Sequence, residues 1–349
     1  MMESTKMVMP QWRLLQETTN YMINNILFCS AGRRGRLLKN FQESLNKDDL
    51  IIATDHQATA PALYFADKQY LVPRIDDPHY IETVLDICRK ENVKAITTLI
   101  DPEIEILANN RDLLLNNGVL PLCPSKETAH LCFDKYALFK HLRDNNIPTV
   151  LTYDSFEHFK EGLDNGDIKF PVFIKPRTGS GSVGIHKIHS IEELKSYIEE
   201  GEHEYIIQEF MDCEDCDADV YIDTISHKPV SMFSKHKIET RIGGANKTIS
   251  FKDARLFNFI KQICKVLEFN GPVDMDFWYR DGVYYLSEVN PRFGGAYLHA
   301  YGAGVNFVPL IVNNINGIEN KEDIGRYKED VIMMMYDDVV IINKEDLAK

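Results

Sequence analysis

Three polar residues spaced two positions apart, Glu288, Asn290 and Arg292, form the pattern in this chain that most directly suggests chemistry. Side chains alternate between the two faces of a strand, so Glu288 and Asn290 point the same way, and Arg292 follows if the strand continues. Carboxylate and amide oxygens suit Mg²⁺, and a guanidinium suits a phosphate. The spacing therefore indicates a metal–nucleotide site at a strand end, with a solvated polar strand end as the alternative.

A glycine-rich run follows a predicted strand that carries a lysine. Residues 171–176 are mostly apolar and include Lys175, residues 178–184 read Thr-Gly-Ser-Gly-Ser-Val-Gly, and residues 185–188 are predicted to return as a strand. A Walker A loop differs, because its Lys and Ser/Thr follow the last glycine and a helix comes next. The order here predicts a hairpin tip that folds over a polyphosphate, with an ordinary Gly/Ser hairpin as the alternative.

A second glycine pattern lies near the N-terminus. Gly32 and Gly35 open a predicted helix, and Asp55 ends the next predicted strand. The order resembles a dinucleotide site, but the spacing is GxxG rather than GxGxxG. We interpret it as a structural strand–helix turn or as an anion or substrate site at a helix N-terminus.

The elements that must position these residues divide the chain into two predicted domains. Strands over 26–29, 50–54 and 95–100 alternate with helical patterns, which predicts a small doubly wound α/β domain over about 25–120. Residues 1–24 are predicted to be an N-terminal extension, and Pro121 and Pro124 mark the boundary with a second domain over 121–349. That domain begins with one helix predicted over 129–145, and another is predicted over 257–267.

The composition excludes several classes of function. The net charge of −14 argues against non-specific nucleic-acid binding and against an anionic membrane surface. No apolar run reaches the roughly 20 residues of a membrane span, and residues 1–22 lack the shape of a signal peptide. Seven scattered cysteines, including an isolated Cys213-x-x-Cys216 pair, are typical of reduced thiols. We therefore expect a cytoplasmic protein that has neither nucleic-acid nor membrane partners.

Taken in order, the residues from about 124 onward resemble the ATP-grasp superfamily, in particular the ATP-grasp unit of carbamoyl-phosphate synthase large subunits and related single-unit ligases. Residues 25–120 resemble the small α/β domain that precedes the grasp fold in these proteins. The resemblance implies an α/β (α+β grasp) fold with two lobes, a lid over about 150–205 and a C-terminal catalytic lobe over about 206–349.

The resemblance also implies a nucleotide site. Lys135 and Lys175 match its two lysines, and Asp215 stands where the family usually has the glutamate that holds the ribose. The flap over the phosphates is matched by Ser180, Gly181 and Ser182, and the hinge that meets adenine by Gln208, Glu209, Phe210 and Met211.

The remaining matches concern the metal and the reaction. Asp276, Glu288 and Asn290 match metal ligands. Arg292 matches a phosphate-contacting arginine, and Arg241, near Gly243 and Gly244, matches one that steadies an acyl phosphate. ATP with Mg²⁺ or Mn²⁺, two ions in all, is the implied cofactor set.

The implied activity is that of an ADP-forming carboxylate–amine ligase, with small-molecule carboxylate and amine substrates between the two domains near Glu103, Arg33 and Arg241. A homodimer is implied by the family likeness alone. Alternatives are a catalytically inactive nucleotide-binding regulator, a carboxyl phosphorylation of the carbamoyl-phosphate synthase type and a dinucleotide-binding dehydrogenase.

The metal assignment places a condition on the hairpin that joins two predicted strands, 272–279 and 283–289. A two-residue turn would place Asp276 and Glu288 on opposite faces, whereas a three-residue turn or an equivalent bulge pairs them directly. A metal shared by Asp276 and Glu288 therefore requires a three-residue turn or an equivalent bulge.

Overall fold

Three β-sheets organise the part of the chain that the structure describes. The structure is a computed structural model and describes residues 23–179, 184–200, 204–241 and 244–349. The predicted flap residues Ser180, Gly181 and Ser182, together with Gly243, lie outside these ranges, as does most of the predicted extension. No helix among the described residues is long and apolar enough to cross a membrane.

The first sheet is parallel and has the strand order β3-β2-β1-β4-β5. The order reverses direction between β1 and β4, and such a reversal leaves a crevice at the carboxyl ends of the strands. The strands are β1 Asn25–Cys29, β2 Ile51–Asp55, β3 Lys68–Leu71, β4 Val93–Thr98 and β5 Leu120–Pro121. The helices are α1 Gly35–Ser44, α2 Tyr80–Lys90, α3 Asp101–Asn109 and α4 Arg111–Asn116.

The second sheet is antiparallel and has the order β6-β9-β7-β8. Its strands are β6 Thr152–Tyr153, β7 Val172–Pro176, β8 His186–Ile188 and β9 Tyr205–Glu209. The helices that precede and flank it are α5 Lys126–Phe133, α6 Lys135–Asp144, α7 Phe156–Asn165 and α8 Ile191–Glu200. The sheet and the helices α7 and α8 enclose a small core of their own around Phe159.

The single helix predicted over 129–145 is wrong, because α5 and α6 are separate helices. Asp134 leaves the helical conformation, with φ −95° and ψ 101°, and its carboxylate accepts hydrogen bonds from the backbone N–H groups of Tyr136 and Ala137. A capping aspartate of this kind satisfies the free N–H groups of a new helix. Lys135 is therefore the first residue of α6.

The third sheet is antiparallel and has the order β14-β13-β10-β11-β12-β15. One face of the sheet buries apolar side chains, among them Val220, Met275 and Leu286, in one cluster with Leu256, Ile260 and Ile263 of α9. The strands are β10 Glu214–Ile222, β11 Pro229–Arg241, β12 Gly244–Phe251, β13 Gly271–Arg280, β14 Val283–Asn290 and β15 Ile332–Met334. The helices are α9 Ala254–Val266, α10 Leu298–Gly302 and α11 Val308–Ile315.

The β13–β14 hairpin combines a two-residue turn with a bulge. Asp281 and Gly282 form the turn with φ of 51° and 86°, as the favoured two-residue hairpin turns require. Arg280 pairs with Val283, but the register shifts by one residue at Ser287, so that Asp276 pairs directly with Glu288. The bulge therefore brings both carboxylates to one face in spite of the short turn.

Candidate active site

The face of the third sheet opposite α9 carries rows of acidic residues. Asp217 pairs with Asp276 across β10 and β13, and Asp219 pairs with Asp274. Glu288 lies beside Asp276 on β14. Like charges this close together repel one another unless cations lie between them. The arrangement therefore requires neutralising groups from other strands.

Two lysines of β11 supply part of that charge. Lys235 is fully buried, with its Nζ in contact with Asp217 and 2.6 Å from Asp219 Oδ2. Lys237 Nζ lies 2.5 Å from Asp276 Oδ1 and 2.9 Å from Asp215 Oδ1. Burial opposes the charged form of both lysines, but the surrounding carboxylates outweigh it and raise the pKa of each. Both lysines are therefore held as cations.

The two lysines expected at the nucleotide site face Glu288. Lys175 on β7 is 7% exposed, and burial lowers its pKa to about 8 although Glu288 raises it. Lys135 donates from Nζ to Gly179 O at 2.6 Å, and burial lowers its pKa against the attraction of Glu288 and Asp101. Burial raises the pKa of Glu288 while both lysines lower it. The structure thus brings the two lysines and Glu288 together.

The donor set of Asp276, Glu288 and Asn290 fits a hard divalent cation. Asn290 pairs with Asp274 in the hairpin and is 8% exposed. Among the described residues, no group of three or more His, Cys, Asp and Glu side chains is arranged to hold a metal ion. Mg²⁺ is ordinarily held by one or two carboxylates together with substrate phosphates, so two carboxylates and an amide oxygen are sufficient on chemical grounds.

Arg292 is tied to the first domain. Its Nε lies 2.7 Å from Asp101 Oδ1, and its Nη2 donates to Asp101 Oδ2 at 3.0 Å. Asp101 is the first residue of α3, directly after the carboxyl end of β4. The sequence shows this aspartate at the end of a predicted strand, but only the packing of the two domains reveals that it meets Arg292.

Arg34 makes a second connection between the domains. It lies in the turn between β1 and α1, and its Nη2 donates to Gly294 O at 2.5 Å. Its surroundings exclude water and lower its pKa to about 10, with a further lowering by Arg292, while Asp274 and Asp219 raise it. The sequence pattern indicates a structural or anion-binding turn at Gly32–Gly35, but it does not reveal that Arg34 reaches the second domain from this turn.

The predicted hinge residues lie where the second sheet passes into the third. Gln208 is buried and donates from Nε2 to Thr152 Oγ1 at 2.9 Å. Glu209 Oε1 accepts from Arg280 Nη1 at 2.6 Å. The Phe210 ring has Lys187 Nζ 3.6 Å from its centroid, and Met211 is 2% exposed. The four residues therefore end β9 and begin the connection to β10, and both their role as a hinge and their contact with adenine stay predictions.

Asp215 and Arg241 have partners other than Glu288 and its two lysines. Asp215 joins the charged rows through Lys237, and burial raises its pKa. Arg241 lies at the exposed end of β11 and donates from Nη1 to Asp337 Oδ2 at 3.2 Å. The structure therefore gives Arg241 an acidic partner away from the metal ligands, and its acyl-phosphate role stays a prediction.

A small opening adjoins the groups that surround Glu288. It is bordered by α3 of the first domain, by α5, by Gly179 in the loop after β7 and by the end of β14. Its polar lining includes Asp101, Glu288 and Asn290, and its remaining wall includes Cys132 and Gly179. Burial raises the pKa of the Cys132 thiol, so this cysteine is not activated as a nucleophile.

Comparison with known families identifies both domains. A model of the PylC-like N-terminal domain matches residues 26–122, and a model of the ATP-grasp domain matches residues 132–296. A carbamoyl-phosphate synthase from Methanobrevibacter smithii is 26% identical over 312 residues, which are 79% of this chain and 81% of that protein. The arginine-specific carbamoyl phosphate synthase large chain of Geobacillus stearothermophilus is 25% identical over 71% of this chain, but this chain spans only 23% of its length.

Solved structures share the fold. N5-carboxyaminoimidazole synthetase from Staphylococcus aureus complexed with ADP superposes with a TM-score of 0.69 at 16% identity, over 86% of this chain and 79% of that one. The biotin carboxylase domain of Hydrogenobacter thermophilus 2-oxoglutarate carboxylase gives 0.69 at 15% identity, over 89% and 74%. The predicted fold class is thereby confirmed. The chain therefore contains a PylC-like N-terminal domain followed by an ATP-grasp domain.

Proposed function

We propose that this protein is an ADP-forming ligase that activates a carboxylate as an acyl phosphate for attack by an amine or a similar nucleophile. The observation that carries the proposal is the grouping of Lys135 and Lys175 with Glu288. Lys135 donates to Gly179 O, Gly179 and Glu288 line the same opening, and both lysines act electrostatically on Glu288. Relatives named as carbamoyl-phosphate synthase and N5-carboxyaminoimidazole synthetase support the same class of reaction.

The cations of this site match the charge of a nucleoside triphosphate. Lys135 at the start of α6 and Lys175 on β7 both interact electrostatically with Glu288, and Arg292 lies two residues beyond the end of β14. Charge-assisted hydrogen bonds from such groups are about twice as strong as neutral ones. We infer that the lysines and Arg292 hold the phosphates in place and offset the negative charge that accumulates during transfer.

Asp276, Glu288 and Asn290 would hold Mg²⁺ or Mn²⁺, and two ions are proposed. When bound, the metal supplies charge neutralisation between neighbouring phosphate groups. Lys237 now lies 2.5 Å from Asp276 Oδ1, so this carboxylate must be shared between the lysine and a metal. Lys237 thus neutralises part of the negative charge at Asp276.

The proposed reaction has two steps. A carboxylate oxygen of the substrate attacks the γ-phosphorus of ATP, and the bond to the β-phosphate oxygen breaks to release ADP. An amine then attacks the carbonyl carbon, inorganic phosphate leaves with its bonding electrons, and the amine loses a proton. No protein side chain forms a covalent bond, so this chain's contribution is to position the reactants and to exclude water.

Two measurements test the proposal. Isothermal titration should show binding of MgATP and no binding of NAD, whereas NAD binding without MgATP binding would favour a dehydrogenase. A phosphate-release screen over amino acids, sugar acids and amines should then find a pair that releases phosphate and ADP together. Binding of MgATP with no turnover for any pair would favour a nucleotide-binding regulator.

We further propose a homodimer in the cytoplasm that binds small molecules and neither nucleic acid nor membranes. The net charge of −14 supports the exclusion of nucleic acid, since anionic surfaces repel each other. Light scattering of the purified chain measures the oligomeric state, and a mass equal to one chain of 40.2 kDa would contradict the dimer.

A further inference from the structure

The C-terminal segment crosses from the third sheet to the first domain. We call residues 335–342 the acidic strap. At its start the N–H of Met335 donates to Asn246 O at 2.9 Å, which continues the pairing of β15 with β12. Beyond its end the N–H of Ala348 donates to the Tyr64 hydroxyl of the first domain at 3.2 Å. The strap is therefore anchored on both domains, and its carboxylates lie over the junction.

Three arginines from the two domains meet the strap. Arg33 and Arg36 come from the β1–α1 turn and α1, and Arg241 comes from the end of β11. We call these three residues the arginine cluster. Every ion pair that the described part of the chain gives them is made with the strap.

A single carboxylate joins arginines of both domains. Asp337 Oδ1 lies 3.8 Å from Arg33 Nη2, while Asp337 Oδ2 lies 3.2 Å from Arg241 Nη1. Next to it, Asp338 Oδ2 lies 3.7 Å from Arg36 Nη2, and the same nitrogen donates to the Tyr336 hydroxyl at 2.7 Å. The cluster thus already holds two adjacent carboxylates, which shows the kind of group that it accepts.

These ion pairs are exposed and readily exchanged. The arginine side chains are 82%, 55% and 60% exposed for Arg33, Arg36 and Arg241. Exposed ion pairs contribute little stability, because water and salt screen them. A soluble anion can therefore compete with the strap for the arginines, since it has little to displace.

The cluster is connected along the chain to residues of the proposed reaction site. Arg33 precedes Arg34, whose guanidinium donates to Gly294 O just beyond Arg292. Arg241 lies on β11, the strand that carries Lys235 and Lys237 into the charged rows. A substrate seated between the two domains could therefore reach both the cluster and the reaction site.

We propose that the arginine cluster binds an acidic group of the substrate, a carboxylate or a phosphate, and that the acidic strap occupies this site until the substrate displaces it. The proposal rests on the proposed function for the existence of a substrate at the domain junction. It adds that the substrate carries an anionic group besides the carboxylate that is activated.

The test compares two double variants of the full chain, D337N/D338N and E345Q/D346N. Both remove two negative charges from the same terminal segment, but only the first removes those on the arginines. Citrate and inorganic phosphate serve as probes, each titrated calorimetrically with MgADP saturating the nucleotide site. We expect D337N/D338N to bind one probe at least threefold more tightly than the wild type and E345Q/D346N do.

The identity of the better probe distinguishes a carboxylate from a phosphate ligand. A second pair of variants checks the arginines: R33Q/R36Q should lose the probe affinity that R326Q, at an exposed arginine elsewhere, retains. Equal probe affinity in D337N/D338N and E345Q/D346N would overturn the proposal, as would an unchanged affinity in R33Q/R36Q. Binding of MgADP is measured first and separately, so a failure of the proposed function is recognised independently.

Discussion

At the scale of single residues, Glu288 is balanced between opposing influences. Burial and Asp276 raise its pKa, and Lys175 and Lys135 lower it. The proposed metal ligand must be the carboxylate form of Glu288, and the two lysines favour that form. In the proposed complex the same lysines would also bind the phosphates of ATP. Lysines and carboxylates would therefore both be needed at this site.

Replacing Glu288 with Gln should abolish ATP turnover. The amide keeps the size of the side chain but removes the charge that the proposed metal requires, and we expect a loss of roughly 100-fold or more. Phosphate release with a substrate pair measures turnover, circular dichroism checks the fold, and Glu161→Gln on the exposed side of α7 is the control. Near wild-type turnover in E288Q would refute the metal assignment.

Replacing Lys175 with Ala should weaken MgATP binding. A hydrogen bond to a charged group contributes about 1.5–3 kcal/mol, so the Kd should rise by roughly tenfold to 100-fold. Isothermal titration of MgATP measures the change, with Lys169→Ala, an exposed lysine just before the same strand, as the control. An unchanged Kd would remove Lys175 from the nucleotide site.

At the scale of elements, α3 carries both a site residue and a buried acid. Asp101 begins the helix and forms an ion pair with Arg292. Glu103, two residues later, is 0% exposed. Thr98 Oγ1 donates to Glu103 Oε2 at 2.5 Å, and the Tyr80 hydroxyl contacts the other oxygen. Burial raises the pKa of Glu103 to about 8, against the hydrogen bond from Ser30.

This raised pKa makes the stability of the protein depend on pH. Between the ordinary pKa of a glutamate and about 8, the folded protein retains a proton that the unfolded chain has released. The stabilisation is therefore complete below the unfolded pKa and is lost as the pH rises towards 8, with a slope approaching 1.4 kcal/mol per pH unit, about the value for one proton.

Replacing Glu103 with Gln should remove this dependence, because an amide does not titrate. We expect the free energy of unfolding of the wild type, relative to that of E103Q, to fall between pH 5 and pH 8. Urea unfolding at several pH values measures it, and Glu319→Gln at an exposed position is the control. Parallel pH profiles for the wild type and E103Q would show that Glu103 is ionised in the folded protein.

The hairpin shows how far local sequence rules extend. The turn residues Asp281 and Gly282 indicate a two-residue turn, and that turn is present. By itself it would separate Asp276 from Glu288, and the bulge at Ser287 corrects the register. The sequence showed that a shared metal needs either a longer turn or a bulge, but not which of the two is present. A bulge depends on the packing of Phe277 and Leu286 against the core on the opposite face.

At the scale of the whole molecule, the two domains share one hydrophobic core. Ile26, Phe28 and Phe41 of the first domain belong to the same buried cluster as Phe293 and Tyr297 of the second. The rings of Phe41 and Phe293 meet edge to face with centroids 5.5 Å apart. The predicted lid has a separate core around Phe159. We therefore expect the first domain and the predicted catalytic lobe to unfold together. The predicted lid should unfold more independently of them.

Replacing Phe41 with Ala should destabilise both of the joined parts. Loss of a buried phenylalanine costs about 3–5 kcal/mol, and here the cavity opens at the shared core. Calorimetry should show a lowered main transition, without a separate early transition for the first domain. Phe159→Ala is the matched control, since it should affect mainly the lid. A main transition lowered by F159A but not by F41A would contradict the shared core.

The sequence alone indicated the resemblance to ATP-grasp proteins, the α/β class and a set of polar residues that alternate on predicted strands, because period-two spacing and motif order are local properties of a chain. It did not reveal Lys235, Lys237, Arg34 or the role of Asp101, since their partners lie on strands and turns distant in sequence. Only the tertiary structure decided that Glu288 faces Asp276, which cations balance the acidic rows and that Asp337 holds Arg241. Charge balance and strand register are set by pairing between elements, and pairing becomes visible only once the chain has folded.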